Sequence, residues 1–120
     1  MIDYLDTEDA VLLADDFGLV IRDLGLLAGA IARPQASAFG QDAYPEMSRK
    51  VAALVEAINR SHPLVDGNKR LSWVCAVVFA LRNGLTLAAP QDEINDVIRS
   101  VVESSMDLPG LDRWISRHLR

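Results

Sequence analysis

One stretch of this 120-residue chain concentrates groups able to do chemistry. It runs Asn59-Arg60-Ser61-His62-Pro63-Leu64-Val65-Asp66-Gly67-Asn68-Lys69-Arg70. His62 is a candidate general base for a hydroxyl nucleophile, because imidazole exchanges protons near neutral pH. Asp66 is an acceptor suited to Mg²⁺, which commonly uses one or two carboxylates together with phosphate oxygens. Gly67 permits a tight turn and a close backbone approach to a ligand. Asn68, Lys69 and Arg70 fall at the start of the helix that follows. Cations are unfavourable there in isolation, since the helix dipole already presents its positive end. A bound anion reverses that balance. Free backbone N–H groups, the dipole and both cations then converge on it. Phosphate is the anion that fits, with Arg70 able to grip two oxygens and Lys69 acting as a point charge.

Each part also has a plain structural reading. A histidine before a proline is commonly a hydrogen-bonded loop residue. Asp66-Gly67-Asn68 on its own is an ordinary turn and helix cap. Lys69 and Arg70 on their own are solvated surface charges. Only the combination around His62 points to a site.

The elements that must position these groups are helical nearly throughout. Met47, Val51, Leu54, Val55 and Ile58 recur at i, i+4, i+7, i+8 and i+11, one stripe of an amphipathic helix with Ser48, Arg49, Lys50 and Glu56 off it. Pro45 suits its first turn. After the polar stretch comes Leu71 to Leu81, apolar on nearly every side apart from Ser72. Such a helix belongs in the middle of a bundle. A buried strand competes through Val74, Val77 and Val78, but the length favours a helix, with Asn83-Gly84 as its stop. In that helix Trp73 and Phe79 read as core and Cys75 as an inert buried thiol. Asp6 or Thr7 caps a first helix through about Phe17, and Leu24 to Ala32 forms a second. Ile94, Val97, Ile98, Val101 and Val102 mark a helix behind Pro90. Leu111, Trp114, Ile115 and Leu119 mark the last one, with His118 a surface residue at its end. The segment from Arg33 to Tyr44 has no stripe and reads as a long, functional loop. The fold class is therefore all-α, a compact bundle in a single domain spanning 1–120.

Composition narrows the partners. Half the residues are hydrophobic, 24% are charged and the formal net charge is -5, which together exclude disorder and disfavour a nucleic-acid binder. One cysteine supplies neither an internal disulfide nor a cysteine-rich zinc site. The N-terminus is acidic where a secretory signal would be basic. The longest apolar run, Trp73 to Leu81, is far short of the roughly 20 residues that cross a bilayer. A soluble cytoplasmic protein is expected.

His62-Pro63-Leu64-Val65-Asp66-Gly67-Asn68-Lys69-Arg70 resembles the signature of the Fic/Doc (filamentation and death-on-curing) family. That signature reads His, any residue, Phe, any residue, Asp or Glu, Gly or Ala, Asn, then Gly-Arg in Fic or Lys-Arg in Doc. Asp23-Leu24-Gly25-Leu26-Leu27 and Ala32-Arg33-Pro34-Gln35 resemble the stretch leading to the family's flap, and Phe79 to Gly84 extends the resemblance over most of the chain. It implies an all-helical fold with the motif between two core helices. It also implies ATP and Mg²⁺ as cofactors. His62 would activate a target hydroxyl, and Asp66 would hold Mg²⁺ or orient the base. Asn68, Lys69 and Arg70, with the Gly67 backbone, would bind the phosphates. Pro34 to Tyr44 would be the flap that pairs with an extended segment of the target.

Two residues resemble the Doc branch in particular. Lys69 stands where Fic enzymes carry a glycine, and Trp73 where they carry a second arginine for the nucleotide. Leu64 departs from both branches by replacing Phe. The Doc branch implies a toxin that phosphorylates elongation factor Tu, restrained by an antitoxin protein encoded alongside. A Ser/Thr-x-x-x-Glu-Gly/Asn inhibitory motif is not evident in the chain, which fits restraint by a separate partner. The alternatives are a Fic-type protein adenylyltransferase and a catalytically silent binding module.

Overall fold

The computed structural model describes residues 1–120. Its order is α1 (Thr7–Asp16), α2 (Leu24–Ala32), a 3-10 turn (Arg33–Gln35), β1 (Ser37–Ala38), β2 (Gln41–Asp42), α3 (Met47–Ser61), α4 (Asn68–Arg82), α5 (Gln91–Val102) and α6 (Leu108–His118). Each helix read from apolar spacing is present, and the bundle is all-α apart from one small hairpin. No helix is long and apolar enough to cross a membrane.

Local chemistry explains the starts. Asp6 caps α1 by a reciprocal box: its side chain accepts from the Asp9 N–H at 2.8 Å, and Asp9 accepts from the Asp6 N–H at 2.9 Å. Asp23 caps α2 through the Leu26 N–H, and Asp107 caps α6 through the Gly110 N–H. Asp9 also takes both Arg82 guanidinium nitrogens, at 2.9 and 2.8 Å, which ties the start of α1 to the end of α4. That hydrogen-bonded pair holds the Asp9 carboxyl below the usual aspartate range.

The most deeply enclosed helix is α3, not α4. Every residue from Lys50 to Asn59 is buried. It packs against α2, α4, α5 and α6. Small side chains make this possible, since Ala52, Ala53 and Ala57 let neighbouring helices approach on faces the Leu54–Ile58 stripe does not cover. The apolar surround of α4 is instead shared between core and rim. Leu71, Cys75, Ala76, Phe79 and Ala80 are buried, while Trp73, Val74, Val77 and Val78 are half-buried and Leu81 is exposed. Trp73 is thus a groove residue rather than core. His118 is no free surface residue either. Its ring packs 4.4 Å from that of Trp114, and its Nδ1 lies 2.8 Å from the Trp114 carbonyl.

Lys50 and Glu56, placed off the stripe by their spacing, are buried. The Lys50 side chain is 2% exposed, and its Nζ reaches Asp42 on β2 at 3.2 Å and lies 5.4 Å from the Tyr4 ring centre. Burial alone would lower its pKa, but the contacts with Tyr4 and Asp42 outweigh that and raise it, so the ammonium stays charged. Glu56 accepts from Arg33 at 2.8 Å, and Arg33 also donates to the Tyr44 hydroxyl at 3.0 Å. The Arg33–Tyr44 segment, read from sequence as a long loop without a helical stripe, is a turn and a hairpin pinned at two points to α3.

Two outcomes follow. Burial pushes the Cys75 thiol up to about 12, so a thiol reagent at pH 8 leaves it unmodified in the native protein and labels it once denaturant unfolds the chain. Rapid native labelling would contradict the packing. Lys50→Met should keep the helical fold, because Asp42 is exposed and is not left as a buried charge. It should lower hydrogen-exchange protection of the Ala43 amide, which closes the hairpin on the Ala36 carbonyl at 2.8 Å. Unchanged protection would show that the ion pair does not anchor the hairpin.

Candidate functional site

The polar stretch singled out in the sequence is the turn between α3 and α4. It begins at His62, the C-cap of α3, in left-handed backbone with φ 56° and ψ 56°. It ends at Gly67, the N-cap of α4, with φ 84°. A Cβ at Gly67 would also meet a Leu19 methyl at 2.6 Å, so the close approach that glycine permits is to this chain's own α1–α2 connection. Between these two residues, Pro63 and Leu64 are buried. Leu64 is 0% exposed, so the smaller residue in the Phe position still anchors the loop to the core.

Asn68 braces the turn from inside. Its Oδ1 accepts from the Leu64 N–H at 2.9 Å. That fixes which way the amide faces, and Nδ2 then lies 3.2 Å from the Leu64 carbonyl and 3.1 Å from His62 Nδ1. Both amide hydrogens are committed within the loop. Any contribution of Asn68 to anion binding in this state runs through its backbone N–H. The Nδ2 contact also sets the imidazole. With Nδ1 accepting, the neutral ring carries its hydrogen on Nε2.

The start of α4 is open. No side chain caps it, and only from Leu71 onward do its N–H groups bond back, first to the Gly67 carbonyl at 2.9 Å. The Asn68, Lys69 and Arg70 N–H groups therefore lack intrahelical partners. Lys69 and Arg70 are exposed and enter no ion pair. Asp66 is exposed too, and its Oδ1 accepts from the Gly67 N–H at 2.9 Å. Asp66, Gly67, Lys69 and Arg70 all line one groove of about 750 Å³. Phe17, Leu19, Trp73, Val74, Ile94 and Ile98 give it an apolar wall, and Gln91, Asn95 and Arg99 add polar groups from α5. His62 does not line this groove. Asn68 is its link to the start of α4.

A second polar connection lies behind the turn. Asn59 Nδ2 donates to Ser72 Oγ at 2.8 Å, and Ser72 Oγ donates to the Lys69 carbonyl at 2.7 Å. This buried pair couples α3 to the first turn of α4 directly beneath the two cations. Spacing gave no hint of it, nor of the α5 residues, because both arise from packing between elements. The segment Val20–Asp23 also pairs by backbone hydrogen bonds with Pro63–Val65, a pairing equally hidden although it lies beside the Asp23–Leu27 stretch.

The arrangement can bind an anion at the α4 start and presents an imidazole within reach of the same turn. Residues 4–80 match the Fic/DOC family. Over 117 residues the chain is 46% identical to Toxin Doc of Mycolicibacterium smegmatis, covering 92% of this chain and 89% of that protein.

Nitrogen-detected NMR of the free protein should show His62 with its ring hydrogen on Nε2. Asn68→Ala should release that preference and lower stability by about 1–3 kcal/mol, because the buried Leu64 N–H loses its acceptor. An Nδ1–H ring in the unmodified protein would refute the geometry.

Proposed function

The chain belongs to the Fic/DOC family, and on that premise we propose that it is a toxin that transfers phosphate from ATP to a hydroxyl of elongation factor Tu and is restrained by an antitoxin encoded beside it. The observation that carries the reading is the open start of α4, where three N–H groups have no helical partner and two unpaired cations line one groove. An uncapped helix start with added positive charge is unfavourable unless an anion completes it. A triphosphate is such an anion, and the apolar wall beyond it suits the rest of a nucleotide.

The roles follow from position. Arg70 and Lys69 hold phosphate oxygens, with the backbone N–H groups beneath them. Asp66 has one carboxylate oxygen on the Gly67 N–H and the other free, so it would hold Mg²⁺ together with phosphate oxygens. The metal would neutralise charge on the phosphates. His62 takes the proton of the target hydroxyl as that oxygen bonds to the γ-phosphorus. The bond from the γ-phosphorus to the bridging oxygen breaks, and ADP leaves. The only ring lone pair in the resting tautomer is on Nδ1. The hydroxyl must therefore replace the Asn68 amide there, or the ring hydrogen must move to Nδ1. In both routes the Asn68–His62 contact opens before the proton is transferred, which accords with catalytic hydrogen bonds tightening only in the reacting complex. Lys69 and Trp73 support phosphoryl over adenylyl transfer, since Lys69 crowds the turn where an α-phosphate would approach and Trp73 supplies no second cation.

Incubation with elongation factor Tu, ATP and Mg²⁺ should add one phosphoryl mass to the target. An adenylyl mass would move the reading to adenylyl transfer, and absence of both mass gain and ATP binding would favour a silent docking module. His62→Ala should abolish growth inhibition with the helical spectrum unchanged. Lys69→Ala and Arg70→Ala should each weaken ATP binding about tenfold or more, the scale of a lost charge-assisted contact.

A further inference from the structure

A residue with a side chain rarely holds left-handed backbone without outside support. His62 does so at the end of α3, with its own N–H still closed onto the Ile58 carbonyl at 3.1 Å. The support comes from the segment after α1. Arg22 Nε donates to the His62 carbonyl at 3.2 Å, and Arg22 Nη2 donates to the same oxygen. The Arg22 and Asp23 N–H groups both donate to the Pro63 carbonyl, at 2.8 and 3.1 Å. Val65 N–H donates to the Val20 carbonyl at 2.9 Å, and Ile21 and Leu64 form an antiparallel bridge. Backbone pairing thus fixes Pro63 to Val65, while the Arg22 side chain reaches back to the His62 carbonyl. On the other side, Asn68 holds the ring.

We propose that Arg22 is a positioning residue for His62: its guanidinium fork fixes the His62 carbonyl, and with it the left-handed turn that aims the imidazole. The proposal rests on the reading of His62 as the base. Arg22 does not line the groove at the α4 start, so its role is separable from nucleotide binding. It is exposed, and the backbone bonds around it remain when its side chain is removed.

The test uses the full chain carrying Arg22→Ala or Arg22→Lys. It measures kcat and KM for ATP with elongation factor Tu as target, the imidazole NMR signals of His62, and the melting curve. Arg22→Ala should lower kcat about 10- to 100-fold, the scale expected of a misaimed catalytic group, with KM for ATP within about twofold. The His62 ring signals should shift or split. Arg22→Lys keeps one donor and should recover part of both. Unchanged His62 signals in a folded Arg22→Ala protein would overturn the proposal, as would a lower melting temperature with kcat unaltered. The ring signals also separate the two ideas. If His62→Ala retains activity while Arg22→Ala still moves the His62 ring, the base reading falls and the positioning role stands.

Discussion

Two left-handed residues, His62 and Gly67, bracket the turn on which the site depends. The first stops α3 and throws the chain outward; the second turns it back to start α4. Contacts from both sides hold this shape: Arg22 on the His62 carbonyl, Asn68 on Leu64 and on the His62 ring, and the strap from Val20 to Asp23 along Pro63 to Val65. The imidazole and the open helix start are therefore two ends of one braced unit. Asn68 links them, with its side chain on the His62 ring and its backbone at the first position of α4.

The electrostatics follow the same division. In a chain with a net charge of -5, four cations sit in ion pairs that join separate elements: Arg33 with Glu56, Arg49 with Asp112, Lys50 with Asp42, and Arg82 with Asp9. Lys69 and Arg70 are left out of this network, at a helix start whose uncapped backbone already presents positive partial charge. The fold gains nothing from their placement there. That is why the pair reads as a binding feature rather than as part of the scaffold.

Much of this was legible in the chain. Apolar spacing located α3 and α5, and Asp6 marked the start of α1. The residues from His62 to Arg70 resembled a family that the matches to the chain bear out. What spacing misjudged was the burial of charge. Lys50 and Glu56 lie off the apolar stripe of α3, yet both are enclosed, because their partners arrive from the hairpin and from the turn after α2. An ion pair between distant segments leaves no periodic trace. The same reason hid Arg22, which is 40 positions from the carbonyl it holds. The apolar surround of α4 misled in the other direction: Trp73 and Val74 line a groove and Leu81 is exposed, and hydrophobicity alone cannot tell a wall from an interior.

The hairpin illustrates a different consequence of how the charges are placed. Its four strand residues are exposed, and Phe39 at its tip is in open solvent. None of the five belongs to the hydrophobic core, and the hairpin is held from its base by Lys50 and Arg33. Its tip can therefore change sequence at little cost to folding, so long as the two anchors and the turn glycine remain. A change at the hairpin tip would leave the core untouched, whereas a change in the turn around His62 would break contacts to the α1–α2 connection and to α4 at once.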